Sequence, residues 1–193
     1  MRLSVLTDAE YSALISYLPR CRPRDDLAVR LMLQCGLRAG EAVSLNVESV
    51  FRGDAISPAV YLAKSSTKTQ RSRFVDMPGP VRHAVELHLA FLRKYYDPLT
   101  PTTPLLQSMH THRRLSVRDL NNITHDVSVA AIGRRVNPHM LRHTYASILI
   151  RFTNVRVVQQ LLGHASLLST QVYLHPTSVD CSAAVESAFG GPS

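Results

Sequence analysis

Helix start and stop signals recur along this 193-residue chain, and only one region switches to the two-residue period of strands. That pattern limits the fold more than any other feature. Thr7 with Glu10 three residues on forms a capping-box signature ahead of the amphipathic run "TDAEYSALISYL". A second helix is predicted from Asp25 to Cys35, ended by Gly36, and "LRAGEAVSL" restarts helix after that break. Then "AVYLAK" and "SRFVDM" read as short strands around the polar "SSTKTQR", a small hairpin or part of a small sheet. Helical spacing returns from Pro78 to Tyr96, and Asp97 to Arg114 reads as a Pro/Thr-rich loop. Ser116 with Asp119 caps a helix to about Ile132, and Asn137 with Pro138 opens the helix holding "HMLRHTYASIL". Asn154 to Leu162 forms a short helix closed by Gly163, and Ser166 caps a further one that carries Tyr173. The expectation is a mainly α domain with a small antiparallel β-sheet, an α+β chain without repeats or an interdomain linker.

Charge narrows the partners. Twenty-two Lys and Arg against 14 Asp and Glu give a net charge of +8, which favours a polyanion such as nucleic acid. No apolar run approaches the roughly 20 residues that span a bilayer, so no membrane partner is expected. The N-terminus turns amphipathic at Asp8, unlike a signal peptide, and the expected location is cytoplasmic. Cys21, Cys35 and Cys181 lack metal or disulfide spacing and read as reduced, packed thiols. His83 and His88, five apart, are a poor metal pair and read as surface or packing residues.

The chemistry concentrates near the C-terminus, where "NPHMLRHTYASILIRF" is followed by "LLGHASLLSTQVYLHP" with no acidic residue between His139 and Tyr173. His139 and Arg142, three apart, share a helix face, while His143 points about 100° away from Arg142. A histidine beside an arginine suits a phosphate: the guanidinium supplies a planar fork of donors and the imidazole donates or shuttles a proton. A solvated helix face with ordinary hydrogen bonds fits the same spacing. Tyr173 lies nine residues after His164. A tyrosine there fits a core or surface position, yet a phenol can attack phosphorus where cationic donors stabilise the developing charge. Carboxylates among those groups would repel a phosphodiester.

Four stretches, "GLRAGEAVSL", "TKTQRSRFVDMP", "HMLRHTYAS" and "VVQQLLGHASLLSTQVYLH", resemble in order the successive boxes of the tyrosine site-specific recombinases, the phage-integrase family. The resemblance runs from Gly36 to His175 and implies that family's catalytic-domain fold. It implies that Arg38 and Arg142 hold the non-bridging oxygens of a scissile phosphate and that Glu41 buttresses Arg38. His139 would be the general acid/base, His164 a donor to a phosphate oxygen, and Tyr173 the nucleophile. Lys68 would protonate the leaving 5′-hydroxyl, with Lys64 as the alternative if the hairpin register differs, and His143 would support the site.

Lys64, Arg71, Arg73, Arg134 and Arg135 are candidate DNA contacts, and "HTHRR" at His110 to Arg114 is either a phosphate contact or a polar loop. The activity implied is site-specific DNA recombination through a 3′-phosphotyrosyl intermediate, with no cofactor, metal or ATP. The alternatives are a type IB topoisomerase-like enzyme and a DNA-binding regulator of the same fold. The partners implied are double-stranded DNA, further copies of the chain forming a tetramer on paired sites from a free monomer or weak dimer, and an accessory DNA-binding protein. Members usually carry an N-terminal domain that closes around DNA. Too few residues precede Arg38 for it, so 1–193 is expected to be a single catalytic domain, a natural short form or a fragment. A tail of about 176–193 is expected to form an amphipathic helix beyond Pro176 that docks on a neighbouring subunit or folds back on its own. The hairpin departs from the family in having "TQR" where a Gly-Lys pair is common.

Overall fold

One helix is buried on nearly every side, and the rest of the domain is built around it. In the computed structural model, which describes residues 5–53, 55–63, 72–95 and 98–162, this is α2 (Pro23–Leu33), in which every residue from Asp26 to Leu33 is buried. Eight consecutive buried residues pass through every face of a helix, so it is covered all round. The neighbours that cover it are α3 (Ala39–Ser44), α4 (Gly79–Tyr95), α5 (Val117–Ile132) and α6 (Pro138–Leu149). Its two charged buried residues neutralise each other, Arg30 Nε lying 2.6 Å from Asp26 Oδ1. Pro23 at the first helical position starts α2 two residues earlier than the sequence suggests, because proline's fixed φ suits that position.

The capping signals act as read. Thr7 and Glu10 close the first turn of α1 (Asp8–Tyr17) reciprocally, at 2.8 Å from Thr7 N to Glu10 Oε2 and 3.2 Å from Glu10 N to Thr7 Oγ1. Ser116 and Asp119 do the same for α5, which ends on Gly133 at φ 72°. Asn137 Oδ1 accepts from Met140 N at the start of α6, and Asn154 Oδ1 accepts from Val157 N at the start of α7 (Val155–Leu162).

Strand content is small and antiparallel. The predicted hairpin is β3 (Ala59–Leu62) paired with β4 (Arg73–Asp76), in a register that sets Val60 against Val75 and Tyr61 against Phe74. A second ladder, β1 (Phe51–Arg52) with β2 (Ala55–Ile56), was not foreseen. Two-residue strands are too short to show a period of two.

The loop before α5 is fastened down by Arg114 rather than being free polar chain. Its Nη1 donates to the carbonyls of Val43 and Leu45 at 2.6 and 2.8 Å, and its Nη2 donates to Asn46 Oδ1. Beneath the loop, buried His88 bonds the Leu105 carbonyl at 2.7 Å, while His83 stays exposed. Burial pushes the Cys21 thiol up to about 11 and the Cys35 thiol up to about 12, so both stay protonated as packed thiols. Among the described residues no helix is long and apolar enough to cross a membrane, and no cluster of His, Cys, Asp or Glu is arranged to hold a metal ion.

A candidate phosphate-binding centre

The centre begins with the turn that ends α2. Gly36 adopts φ 66°, the left-handed conformation common just past a helix end, and the Leu37 amide reaches back to the Leu31 carbonyl at 3.1 Å. Leu37 is fully buried, which fixes where the chain emerges and sets Arg38 directly before α3. Glu41, at the third position of that helix, folds its carboxylate back onto Arg38. Oε2 accepts from the Arg38 amide and Oε1 from Arg38 Nη1, both at 2.9 Å.

Glu41 is the hub of three arginines. Arg73 on β4 grips it from the other side with a planar fork, Nη1 to Oε1 at 2.9 Å and Nη2 to Oε2 at 3.0 Å. Arg142 on α6 brings Nη1 to 3.8 Å from Oε2. With 2% of its surface exposed, the carboxyl is pushed up by burial. The hydrogen bonds from Arg73 and the Arg38 amide, with both positive charges, outweigh that and hold it below the usual carboxylate range.

Arg142 is buried where three segments meet. Its Nη1 donates to the Gly36 carbonyl, and its Nη2 donates at 2.7 Å to the carbonyl of Leu162, the last residue of α7. One guanidinium thus ties the end of α2 to the end of α7. His139, one turn before Arg142, is exposed at the edge of the centre. Partial burial lowers its pKa, and the charges of Arg142 and then Arg38 lower it further. The His143 ring is buried and stands edge-on to His139, with centroids 4.0 Å apart and planes at 81°. The next residue, Thr144, fastens α6 to the N-terminal segment by accepting from Leu6 N at 3.0 Å.

The predicted site residues fall into three groups. Arg38, Glu41, His139, Arg142 and His143 are brought together. Lys64, Lys68, Arg71, His164 and Tyr173, with the tail and Cys181, lie outside the described residues. Two expected DNA contacts turn inward instead. Arg73 grips Glu41 because it shares the inner face of β4 with buried Val75, an alternation already present in "RFVD". Arg134 bonds Glu10 through Nε and, at 2.9 Å, Nη2, and it reaches the Val5 carbonyl at 3.3 Å, so it fastens the α5–α6 turn to α1. Arg134 and Thr7 hold Glu10 down at about 2. Arg135 remains exposed. Burial drives the Tyr145 phenol up to about 12.

A helical scaffold that packs guanidinium groups around one carboxylate and leaves a histidine at the rim is suited to a phosphate group. The chain belongs to the phage integrase family, whose model matches residues 4–179. It is 32% identical over 187 residues to the tyrosine recombinase XerA of Pyrococcus furiosus, covering 95% of this chain and 61% of that protein. To XerD of Pseudomonas aeruginosa it is 30% identical over 174 residues, covering 88% of this chain and 56% of the relative. It therefore spans little more than half the length of these relatives. The crystal structure of XerA recombinase superposes with a TM-score of 0.76 at 25% identity, over 96% of this chain and 63% of that one. XerH bound to its difH substrate in a pre-cleavage complex gives 0.76 at 20% identity, over 98% and 55%, a likeness of fold.

Proposed function

We propose that this domain cuts and rejoins DNA strands in site-specific recombination, through a covalent bond between Tyr173 and a 3′-phosphate. The observation that carries the reading is the convergence of Arg38 and Arg142 on buried Glu41, with His139 within the field of both guanidinium groups. The tyrosine recombinase relatives and the substrate-bound XerH fold support it.

The reaction is a transesterification. The Tyr173 phenol oxygen forms a bond to phosphorus as the bond to the 5′-oxygen breaks. The phenol proton passes to His139, and the departing 5′-oxygen takes a proton from Lys68. Arg38 and Arg142 stabilise the charge that builds on the non-bridging oxygens, with His164 as a further donor. Positive side chains do here what metal ions do in many nucleases, so neither metal nor ATP takes part, and a second 5′-hydroxyl reverses the step to join new strands. A neutral His139 suits proton acceptance, and its lowered pKa keeps it neutral at physiological pH.

The partner is double-stranded DNA, on which copies of the protein, monomeric or weakly dimeric when free, assemble as a tetramer across paired sites with help from an accessory DNA-binding protein. The test uses nicked suicide duplexes and paired sites taken from repeats flanking the gene. Covalent trapping together with strand exchange between two duplexes supports recombination. Trapping with plasmid relaxation and no exchange marks a topoisomerase, and DNA binding without trapping marks a regulator.

A further inference from the structure

Three guanidinium groups share one carboxylate in this centre, and their attachments are unequal. Arg73 holds both oxygens of Glu41 with its guanidinium fork, the Arg38 guanidinium holds one through Nη1 while the Arg38 backbone amide holds the other, and Arg142 stands 3.8 Å away, beyond hydrogen-bond range. Arg73 is 14% exposed at its side chain and Arg38 28%, so Arg73 is the inner partner and Arg38 the one nearer solvent. A bidentate fork fixes the plane of a carboxylate as well as its position. From that arrangement we infer that Arg73 is a positioning residue for cleavage, which keeps the Glu41 charge engaged from the β4 side and leaves Arg38 and Arg142 for the phosphate.

Charge balance gives the physical reason. Three guanidinium groups and one carboxylate carry a net charge of +2, matching the double negative charge of a pentacoordinate phosphorane, whereas the resting diester carries one. Without Arg73 the same carboxylate neutralises most of what Arg38 and Arg142 offer. Held then only by the Arg38 amide and Arg38 Nη1, it draws the Arg38 guanidinium toward itself and away from the phosphate. In the low dielectric of a site where Glu41 is 2% exposed, such a redistribution is felt strongly.

This inference rests on the recombinase reading, and its test separates the two. Single-turnover covalent attachment to a nicked suicide duplex is measured alongside duplex affinity and urea unfolding. Arg73→Gln, of similar reach without charge, should slow attachment about 10–100-fold, the usual cost of losing an orienting partner, with duplex affinity little changed. Arg73→Lys should recover part of the rate, since it restores the charge but not the fork.

The decisive variant is Glu41→Gln in the Arg73→Gln background. A neutral amide no longer draws the two arginines away, so the double variant should attach about tenfold faster than Arg73→Gln alone. An Arg73→Gln rate equal to wild type, or a double variant slower than either single one, overturns the inference while wild-type attachment leaves the recombinase reading standing. Failure of folded wild type to attach at all overturns both. Should Arg73→Gln unfold, the folded Arg73→Lys with and without Glu41→Gln gives the same comparison, and a slower double variant again counts against the role.

Discussion

Gly36→Ala is the substitution on which the arginine centre should prove least tolerant. Two separate costs follow from the geometry. The residue sits at φ 66°, where a side-chain-bearing residue loses about 1–2 kcal/mol relative to its right-handed conformation. A Cβ built there would lie 2.4 Å from Tyr145 Cδ1 and 2.5 Å from Cε1. Carbon atoms pack at about 3.5–4.0 Å, so the ring would have to retreat by roughly 1 Å. Tyr145, on α6, packs against the cluster of Ala146, Val158 and Leu162, and overpacking of that kind costs about 1–3 kcal/mol. Together these give a loss of about 2–5 kcal/mol, which for a domain of this size lowers Tm on the order of 5–15 °C. Because the Gly36 carbonyl anchors Arg142, covalent DNA attachment should fall even at temperatures where the variant is folded.

Urea unfolding is the assay, and two variants sort the causes. Gly40→Ala, with nothing within 4 Å and a place inside α3, should gain about 0.5–1 kcal/mol. Adding Tyr145→Ala to Gly36→Ala should remove the collision but not the backbone strain. A Gly36→Ala protein within about 0.5 kcal/mol of wild type would refute the reasoning.

Other outcomes follow from the charges. Arg38→Ala and Arg142→Ala should each slow single-turnover cleavage by about 3–4 kcal/mol of barrier, the worth of a pre-organised donor; slowing of tenfold or less would remove that residue from the phosphate. The His139 NMR titration midpoint should lie below the usual histidine value of 6.5 and move up toward it in Arg38→Gln. Since the folded protein holds that proton less tightly than the unfolded chain, the His139 contribution to stability is intact above pH 6.5 and is lost as pH falls from there through the folded pKa. A midpoint above 6.5 would contradict this. Lys68→Ala should cleave slowly but recover on a substrate with a 5′-thiol leaving group, which needs no protonation; recovery in Lys64→Ala instead would reassign the lysine.

Much of the scaffold was legible because its signals are local. Thr7 with Glu10, Ser116 with Asp119, and Asn137 with Pro138 each satisfy backbone donors within one turn, and each starts a helix where expected. Arg38, Glu41 and Arg142 were legible through the resemblance carried by "GLRAGEAVSL" and "HMLRHTYAS". The inward turns of Arg73, Arg114 and Arg134 were not. Their partners are Glu41, the Val43 and Leu45 carbonyls, and Glu10, at separations of 32 to 124 residues. A basic residue in a polar stretch has the same local signature whether it meets DNA or a carboxylate of its own chain. Only the alternation in β4 favoured the inner face for Arg73. The ladder of β1 with β2 was hidden for another reason, as two residues carry no period.

The central claim is that a tyrosine, served by positive side chains alone, carries the cut strand. The most direct measurement traps the protein on a nicked suicide duplex in excess EDTA without nucleotide, digests the adduct, and sequences the peptide that bears the DNA. The account predicts a phosphotyrosyl linkage at Tyr173, absent from a folded, DNA-binding Tyr173→Phe protein. A linkage to Tyr61, Tyr95, Tyr96 or Tyr145, or cleavage only when Mg²⁺ is restored, would contradict it.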